Sequence, residues 1–141
     1  MSTEENKAIV RRNFEESWNK GNLAVVDELF APDYIGHFAI HPQPVSGIEA
    51  YKQFMSGYFV AFPDARFDIE DILAEGNKVV ARWTMHGTHK GDLAGIHPTG
   101  KQITVTGMWI LRVAAGKIAE QWGINDTLGL MQQLGVVPAI A

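Results

Sequence analysis

Between Tyr51 and Phe62, six large side chains recur at helical spacing. Tyr51, Phe54, Met55, Tyr58, Phe59 and Phe62 fall at i, i+3, i+4, i+7, i+8 and i+11. The stripe predicts an amphipathic helix, closed by Pro63, which cannot donate a backbone hydrogen bond. Six such side chains on one face need a broad apolar partner, and a curved sheet supplies it. Downstream the period changes from helical to alternating. Phe67, Ile69 and Leu73 alternate before a turn at Glu75-Gly76-Asn77-Lys78. Val79, Ala81, Trp83 and Met85 then alternate with Val80, Arg82, Thr84 and His86. A glycine-spaced loop, Gly87 to Gly100, leads to a long strand from Lys101 to Val113. Ala114-Ala115-Gly116-Lys117 reads as a hairpin turn and Ile118 to Asn125 as the last strand. Leu128, Leu130, Met131 and Leu134 predict a closing helix stopped by Gly135.

Upstream, Ser2 and Glu5 stand at capping-box spacing, and Val10, Phe14 and Trp18 recur every four residues on one helix face. Lys20-Gly21 supplies a stop. A second short helix is expected from Leu23 to Phe30, with Val26, Leu29 and Phe30 inward, ending before Pro32. Tyr34 to Phe38 reads as extended. His41-Pro42-Gln43-Pro44 reads as a loop, and Ser46 with Glu49 as a second capping box before the aromatic helix. The order α-α-β-α-β-β-β-β-α, with no repeat or linker, predicts one α+β domain over residues 1–141 with an antiparallel sheet.

Composition narrows the function classes. Apolar residues make up 46% and charged residues 20%, which is ordinary for a globular chain. Twelve Lys and Arg against sixteen Asp and Glu give a net charge of −4. With no basic run, that balance argues against nucleic acid or an anionic membrane as partner. The absence of cysteine excludes disulfides, a thiolate nucleophile and Cys-ligated metal. No apolar run approaches the roughly 20 residues of a bilayer span. The amino-terminal Met-Ser-Thr-Glu-Glu lacks the cationic start of a signal peptide. A soluble, cytoplasmic protein is the expectation.

No Gly-rich phosphate loop, HExxH or Gly-x-Ser-x-Gly elbow is present. His86, His89 and His97 lack a carboxylate at matching spacing and read as an exposed polar loop, so neither metal nor cofactor is expected. Asp126 ends the last strand. Ile118, Trp122 and Ile124 share its parity with Glu120, while Lys117, Ala119, Gln121 and Gly123 occupy the other. If the more apolar parity faces inward, Asp126 projects into a cavity or its rim. Apolar surroundings there raise a carboxyl pKa toward a value useful for proton transfer. Asp126 also precedes a helix and reads equally well as its N-cap. His37 reads as a core histidine or a cavity-facing one. Arg82 reads as a surface charge or a ligand anchor. Trp18, Phe54, Phe59 and Trp122 read as core aromatics.

Gly87-Thr88-His89-Lys90-Gly91, Gly95 and His97-Pro98-Thr99-Gly100-Lys101 together resemble the signature loop of SnoaL-like polyketide cyclases, or ester cyclases. Gly116-Lys117-Ile118-Ala119-Glu120-Gln121-Trp122, Asp126 and Leu130-Met131-Gln132-Gln133-Leu134-Gly135 are similar to the family's C-terminal signature. Trp18-Asn19-Lys20-Gly21-Asn22, Phe30-Ala31-Pro32-Asp33-Tyr34, His37 and Phe62-Pro63-Asp64 match its other landmarks. The resemblance implies a nuclear transport factor 2-like cone, a curved antiparallel sheet wrapped around N-terminal helices. It also implies cofactor-free, intramolecular aldol-type cyclisation, or a related α-proton transfer, of a hydrophobic carbonyl substrate. Asp126 would be general base and then acid, and His37 its polar support. Trp18, Tyr34, Phe54, Trp83, Trp109 and Trp122 would be the substrate-binding walls.

One stretch departs from the family. Its cyclases carry polar residues, including a histidine, on the penultimate strand, where this chain reads Met108-Trp109-Ile110-Leu111 and only Arg112 is polar. His37, the Trp109 indole or an ordered water is left to polarise the ketone. The alternatives are a non-catalytic small-molecule-binding protein on the same fold and an epoxide-type hydrolase, for which Arg82 would be the pocket arginine. Thr104, Thr106 and Ile110, on the outer parity of the sheet, predict a homodimer.

Overall fold

The computed structural model describes residues 2–138. Helix α1 (Thr3–Arg12) starts with the expected capping box: the Glu5 amide donates to Ser2 Oγ, and the Ser2 amide to Glu5 Oε1. It continues into a π-helical turn, Asn13–Trp18, closed by the Asn19 amide donating to the Phe14 carbonyl. The wider turn keeps Phe14 and Trp18 on the buried face begun by Val10. Asn19 then mimics a strand: its Nδ2 donates to the Phe67 carbonyl (2.9 Å) and its Oδ1 accepts from the Phe67 amide (2.7 Å).

The chain continues through α2 (Ala24–Leu29), β1 (Phe30–Phe38), β2 (Val45–Ser46) and α3 (Ile48–Ala61). Four strands follow, β3 (Arg66–Glu75), β4 (Lys78–Thr88), β5 (Gln102–Ala114) and β6 (Lys117–Asn125), and then α4 (Thr127–Leu134). Two local expectations need correction. Strand β1 begins at Phe30, before Pro32, and not at Tyr34. Ser46 pairs with Ile35 in a short strand, so the second capping box does not form; α3 is capped by Gly47 at φ 89°, without a side-chain bond.

The sheet runs β2-β1-β6-β5-β4-β3 and does not close. Its pairs are antiparallel except β1 with β6, which is parallel. No hairpin joins those two strands; they meet across the rest of the chain, which permits the parallel sense. The helix-covered inner face carries Val79, Ala81, Trp83 and Met85 from β4 and Ile103, Val105, Trp109, Leu111 and Val113 from β5, all buried.

Strand β6 changes parity along its length. Val113 faces Ile118, yet Arg112 faces Glu120, so Ala119 is the extra residue of a β-bulge. Ile118 points inward and is fully buried. Beyond the bulge the inward positions are Gln121, Gly123 and Asn125, opposite Leu111, Trp109 and Gly107. Trp122 and Ile124 therefore lie outside, opposite Ile110 and Met108. This corrects the constant parity expected for the strand and the placing of Trp122 in the core. Where β6 stops, α4 takes over: Gln133 Oε1 accepts from the Thr104 amide and its Nε2 donates to the Thr104 carbonyl, both at 2.8 Å. Gly135, at φ 81°, ends α4.

Candidate active site

The inner sheet face, the π-helical turn and α3 enclose a cavity of about 40 Å³. Trp18, Phe54, Tyr58, Phe67, Trp83 and Trp109 form its walls, and its more exposed residues are Ile40 and Ile124. The rings crowd one another. Trp18 lies 5.1 Å from Phe67 and 5.8 Å from Trp109, Trp83 lies 5.5 Å from Trp109, and Phe38 stacks on Phe54 at 4.3 Å. The space left suits a few waters, and a fused-ring ligand requires rings to move. Gly107 and Gly123 let the rings lie against the sheet. A Cβ at Gly107 would stand 2.4 Å from Trp83 Cζ2, and one at Gly123 2.6 Å from Phe38 Cδ1.

Of the expected walls, Trp18, Phe54, Trp83 and Trp109 line this cavity. Tyr34 lies deeper and does not: it is 1% exposed, and its hydroxyl donates to Gln121 Oε1 at 2.9 Å. Trp122 occupies the opposite face.

Polar atoms in the cavity are few and uncharged. The Trp18 indole N–H is taken by Tyr51 Oη at 3.0 Å. Trp83 Nε1 is buried without a partner among the described residues. Desolvation raises the pKa of Tyr58, which keeps its hydroxyl protonated. Asn125, half-buried, accepts at Oδ1 from Thr127 Oγ1 (3.2 Å). Among the described residues no carboxylate, lysine, arginine or histidine lines the space. Sequence reasoning missed Tyr58 as a polar group because it sits in the apolar stripe of α3. It missed Asn125 because the bulge at Ala119 leaves no mark in the hydropathy pattern. The one available signal was Gly123, a strand glycine of the same parity, where a ring approaches closely.

Asp126 is exposed. Its backbone N–H donates to the Thr106 carbonyl (2.9 Å), and its Oδ1 accepts from the Gly129 amide (2.9 Å), capping α4. Of the two readings the residues left open, the N-cap is the one seen. Asp126 borders a shallow depression with Arg82, Thr106 and Met108 on the outer side of the sheet, and Asn125 borders both that depression and the cavity.

His37 belongs to the outer face. Its Nε2 lies 2.8 Å from Glu120 Oε2, and its ring stacks on Trp122 at 5.6 Å. Arg112 Nε donates to the other Glu120 oxygen at 3.2 Å. The bond from His37, and then that from Arg112, holds the Glu120 carboxyl below its ordinary range. The sheet separates this cluster from the cavity. Arg82 is exposed and pairs with Asp71 at 2.7 Å, the surface-charge reading.

The three loop histidines do not converge. His86 pairs with Asp68 at 3.5 Å on the outer face, and His97 is exposed beside Asp92. His89, expected in an exposed loop, is fully buried. Its Nδ1 accepts from the Thr99 amide at 3.1 Å, and its backbone amide donates to the Lys101 carbonyl, so it pins the glycine-rich loop from inside. Among the described residues no group of three or more His, Cys, Asp or Glu is placed to hold a metal ion, and no helix is long and apolar enough to cross a membrane.

The family model for the SnoaL-like polyketide cyclase matches residues 8–134. The nogalonic acid methyl ester cyclase of Streptomyces nogalater is 28% identical over 120 residues, covering 84% of this chain and 90% of that protein. The aklanonic acid methyl ester cyclase DnrD of Streptomyces peucetius is 30% identical over 127 residues, 88% of this chain and 87% of that protein. A crystal structure from Jannaschia sp. CCS1, assigned to the SnoaL-like polyketide cyclases, superposes with a TM-score of 0.89 at 28% identity, covering 96% of this chain and 95% of that one.

Proposed function

This chain belongs to the SnoaL-like polyketide cyclase family, and we propose that it closes a ring in a hydrophobic, carbonyl-bearing small molecule by cofactor-free aldol-type chemistry or a related α-proton transfer. The supporting observation is an uncharged, ring-lined cavity whose inward polar residue on β6, Asn125, is followed at once by a carboxylate, Asp126. A methylene flanked by carbonyls is already acidic. In this reading Asp126 takes its proton, the enolate carbon attacks an internal carbonyl, and the resulting alkoxide recovers a proton from the carboxylic acid. For that, the Asp126 carboxylate must exchange the Gly129 amide for the substrate, and the Phe38–Phe54 stack must part to admit a fused ring. The experiment is turnover of nogalonic acid methyl ester by the wild type and Asp126→Asn. Asparagine remains a competent helix cap, so folding is retained. A fall in kcat of roughly 10² or more is expected from loss of the base; unchanged turnover removes Asp126 from the mechanism.

One observation favours a second reading, a non-catalytic binding protein. The Asp126 carboxylate is occupied as a helix cap, and among the described residues Tyr58 is the one ionisable residue lining the cavity. Saturable binding of the same ester by the wild type, with no conversion, would establish that reading. The hydrolase alternative loses support, since Arg82 points to solvent beside Asp71.

The proposal extends to a cytoplasmic homodimer. Met108, Ile110 and Ile124 are 49%, 39% and 60% exposed and adjoin one another on the outer face, on the parity of Thr104 and Thr106. Sedimentation is expected to give about twice the 15.6 kDa chain mass, and the pair Met108→Glu with Ile110→Glu to restore the single mass. A wild type sedimenting at the single mass at micromolar concentration excludes the dimer.

A further inference from the structure

The polar atoms left over in the cavity are hydrogen-bond donors. Trp83 Nε1 is a buried donor without a partner among the described residues, and Tyr58 carries a hydroxyl kept neutral by its surroundings. Asn125 is the most directed of them. It faces inward opposite Gly107, and the Thr127 hydroxyl occupies its Oδ1 at 3.2 Å. That bond fixes the plane of the amide, so Nδ2, which has no partner among the described residues, is turned away from Thr127. Donors without a cation suit a neutral oxygen such as a ketone. A carboxylate or phosphate would enter without a counter-charge and at high desolvation cost.

We infer that Asn125 is the carbonyl-recognition residue of the cavity, its Nδ2 donating to a ketone oxygen of the ligand. The position has a chemical consequence. A ketone held by Asn125 is one residue from Asp126, so the same amide stabilises the enolate oxygen as negative charge develops on it. This supplies the polar partner that Met108-Trp109-Ile110-Leu111 does not. The catalytic half of the inference rests on the proton-transfer reading above; the recognition half does not.

Two probes of similar shape separate the halves: 2-acetonaphthalene, an aryl ketone, and 2-ethylnaphthalene, which lacks the oxygen. Binding of each to the full chain is followed by quenching of tryptophan fluorescence. The wild type is expected to prefer the ketone about fivefold to tenfold, the worth of one hydrogen bond. Asn125→Leu should erase the preference while leaving the affinity for 2-ethylnaphthalene within about twofold, and Thr127→Val, which frees the amide to turn, should reduce the preference. In the wild type itself, the infrared stretch of the bound ketone should move to lower frequency than in hexane, a readout needing no variant to fold. Equal affinity for the two probes, binding of neither, a hexane-like stretch, or a preference that survives Asn125→Leu would each overturn the inference. Asp126→Asn should keep the ketone preference. If turnover also survives in that variant, the proton-transfer reading falls and recognition by Asn125 stands.

Discussion

The two faces of one sheet follow opposite rules. Inward, Phe67 and Trp109 press on Trp18, Trp83 packs on both of them, and the polar groups described along the cavity are uncharged. Outward, charges pair across strands, His37 and Arg112 on Glu120, Arg82 on Asp71 and His86 on Asp68, while Arg66 meets Asp68 along β3. Yet the outer face also carries Met108, Ile110, Trp122 and Ile124. Hydropathy alone therefore does not tell the faces apart; register does. The strongest distinction is ionic, because a charge on the helix-covered side would have to be desolvated. Asn125 and Asp126, consecutive at the end of β6, are divided between the two regimes, and the functional reading depends on that division.

The most disruptive way to break the contrast is to insert one alanine between Glu120 and Gln121. Past the insertion every residue changes face: Trp122 turns inward opposite Trp109 and Ile124 opposite Gly107, while Gln121 and Asn125 turn outward. Loss of more than about 3 kcal/mol, or of cooperative unfolding altogether, is expected in urea titrations, since a second indole overfills the core and Tyr34 loses its buried bond to Gln121. Ala119→Gly, which keeps the register, should cost about 1 kcal/mol or less. An insertion variant unfolding at the wild-type midpoint would show that the register of β6 does not set the faces.

A milder comparison uses one residue type on each side. Trp109 is 5% exposed, stacks on Phe14 at 4.8 Å and touches Trp18, Phe67 and Trp83. Trp122 stacks on His37 and has Lys78 Nζ 5.6 Å from its ring. Trp109→Leu is expected to destabilise by about 2–4 kcal/mol and Trp122→Leu by about 1 or less in the monomer. Equal losses would erase the difference between the faces.

What was legible in the sequence was local. The capping box at Ser2, the stripe of α3, the hairpin turns and the stop at Gly135 each arise within a few residues, and each is seen. The family motifs likewise pointed to the cyclase family that the comparisons identify. What escaped depends on distant pairing. The β1–β6 parallel pair joins residues more than eighty positions apart. The bulge carries an alanine between strand formers, with apolar residues on both parities, so periodicity could not mark where the phase slips. His89 is buried because its loop folds over it, not through any feature of its own neighbours. The Asp126 ambiguity was itself legible, since a strand end before a helix is both a pocket position and a capping position.

The finest distinction is in the acid limb of stability. Glu120 has its folded pKa below the ordinary 4.5, through the bond from His37 and then that from Arg112. A depressed carboxyl binds fewer protons in the folded state than in the unfolded one near that pH. Its contribution is therefore complete above about pH 4.5 and is lost as the pH falls through the lower folded value. Glu120→Gln should lower the urea midpoint slightly at neutral pH and flatten its decline below pH 4.5. Added salt should shrink both differences, because the cluster lies at the solvent boundary. Tyr58→Phe, on the inner face, should leave the acid slope unchanged, since burial moves the Tyr58 pKa upward, away from the acid range. Parallel slopes for the wild type and Glu120→Gln would mean that the outer ion cluster adds nothing measurable to the fold. A changed slope in Tyr58→Phe would mean that the inner face harbours an acid-titrating group after all.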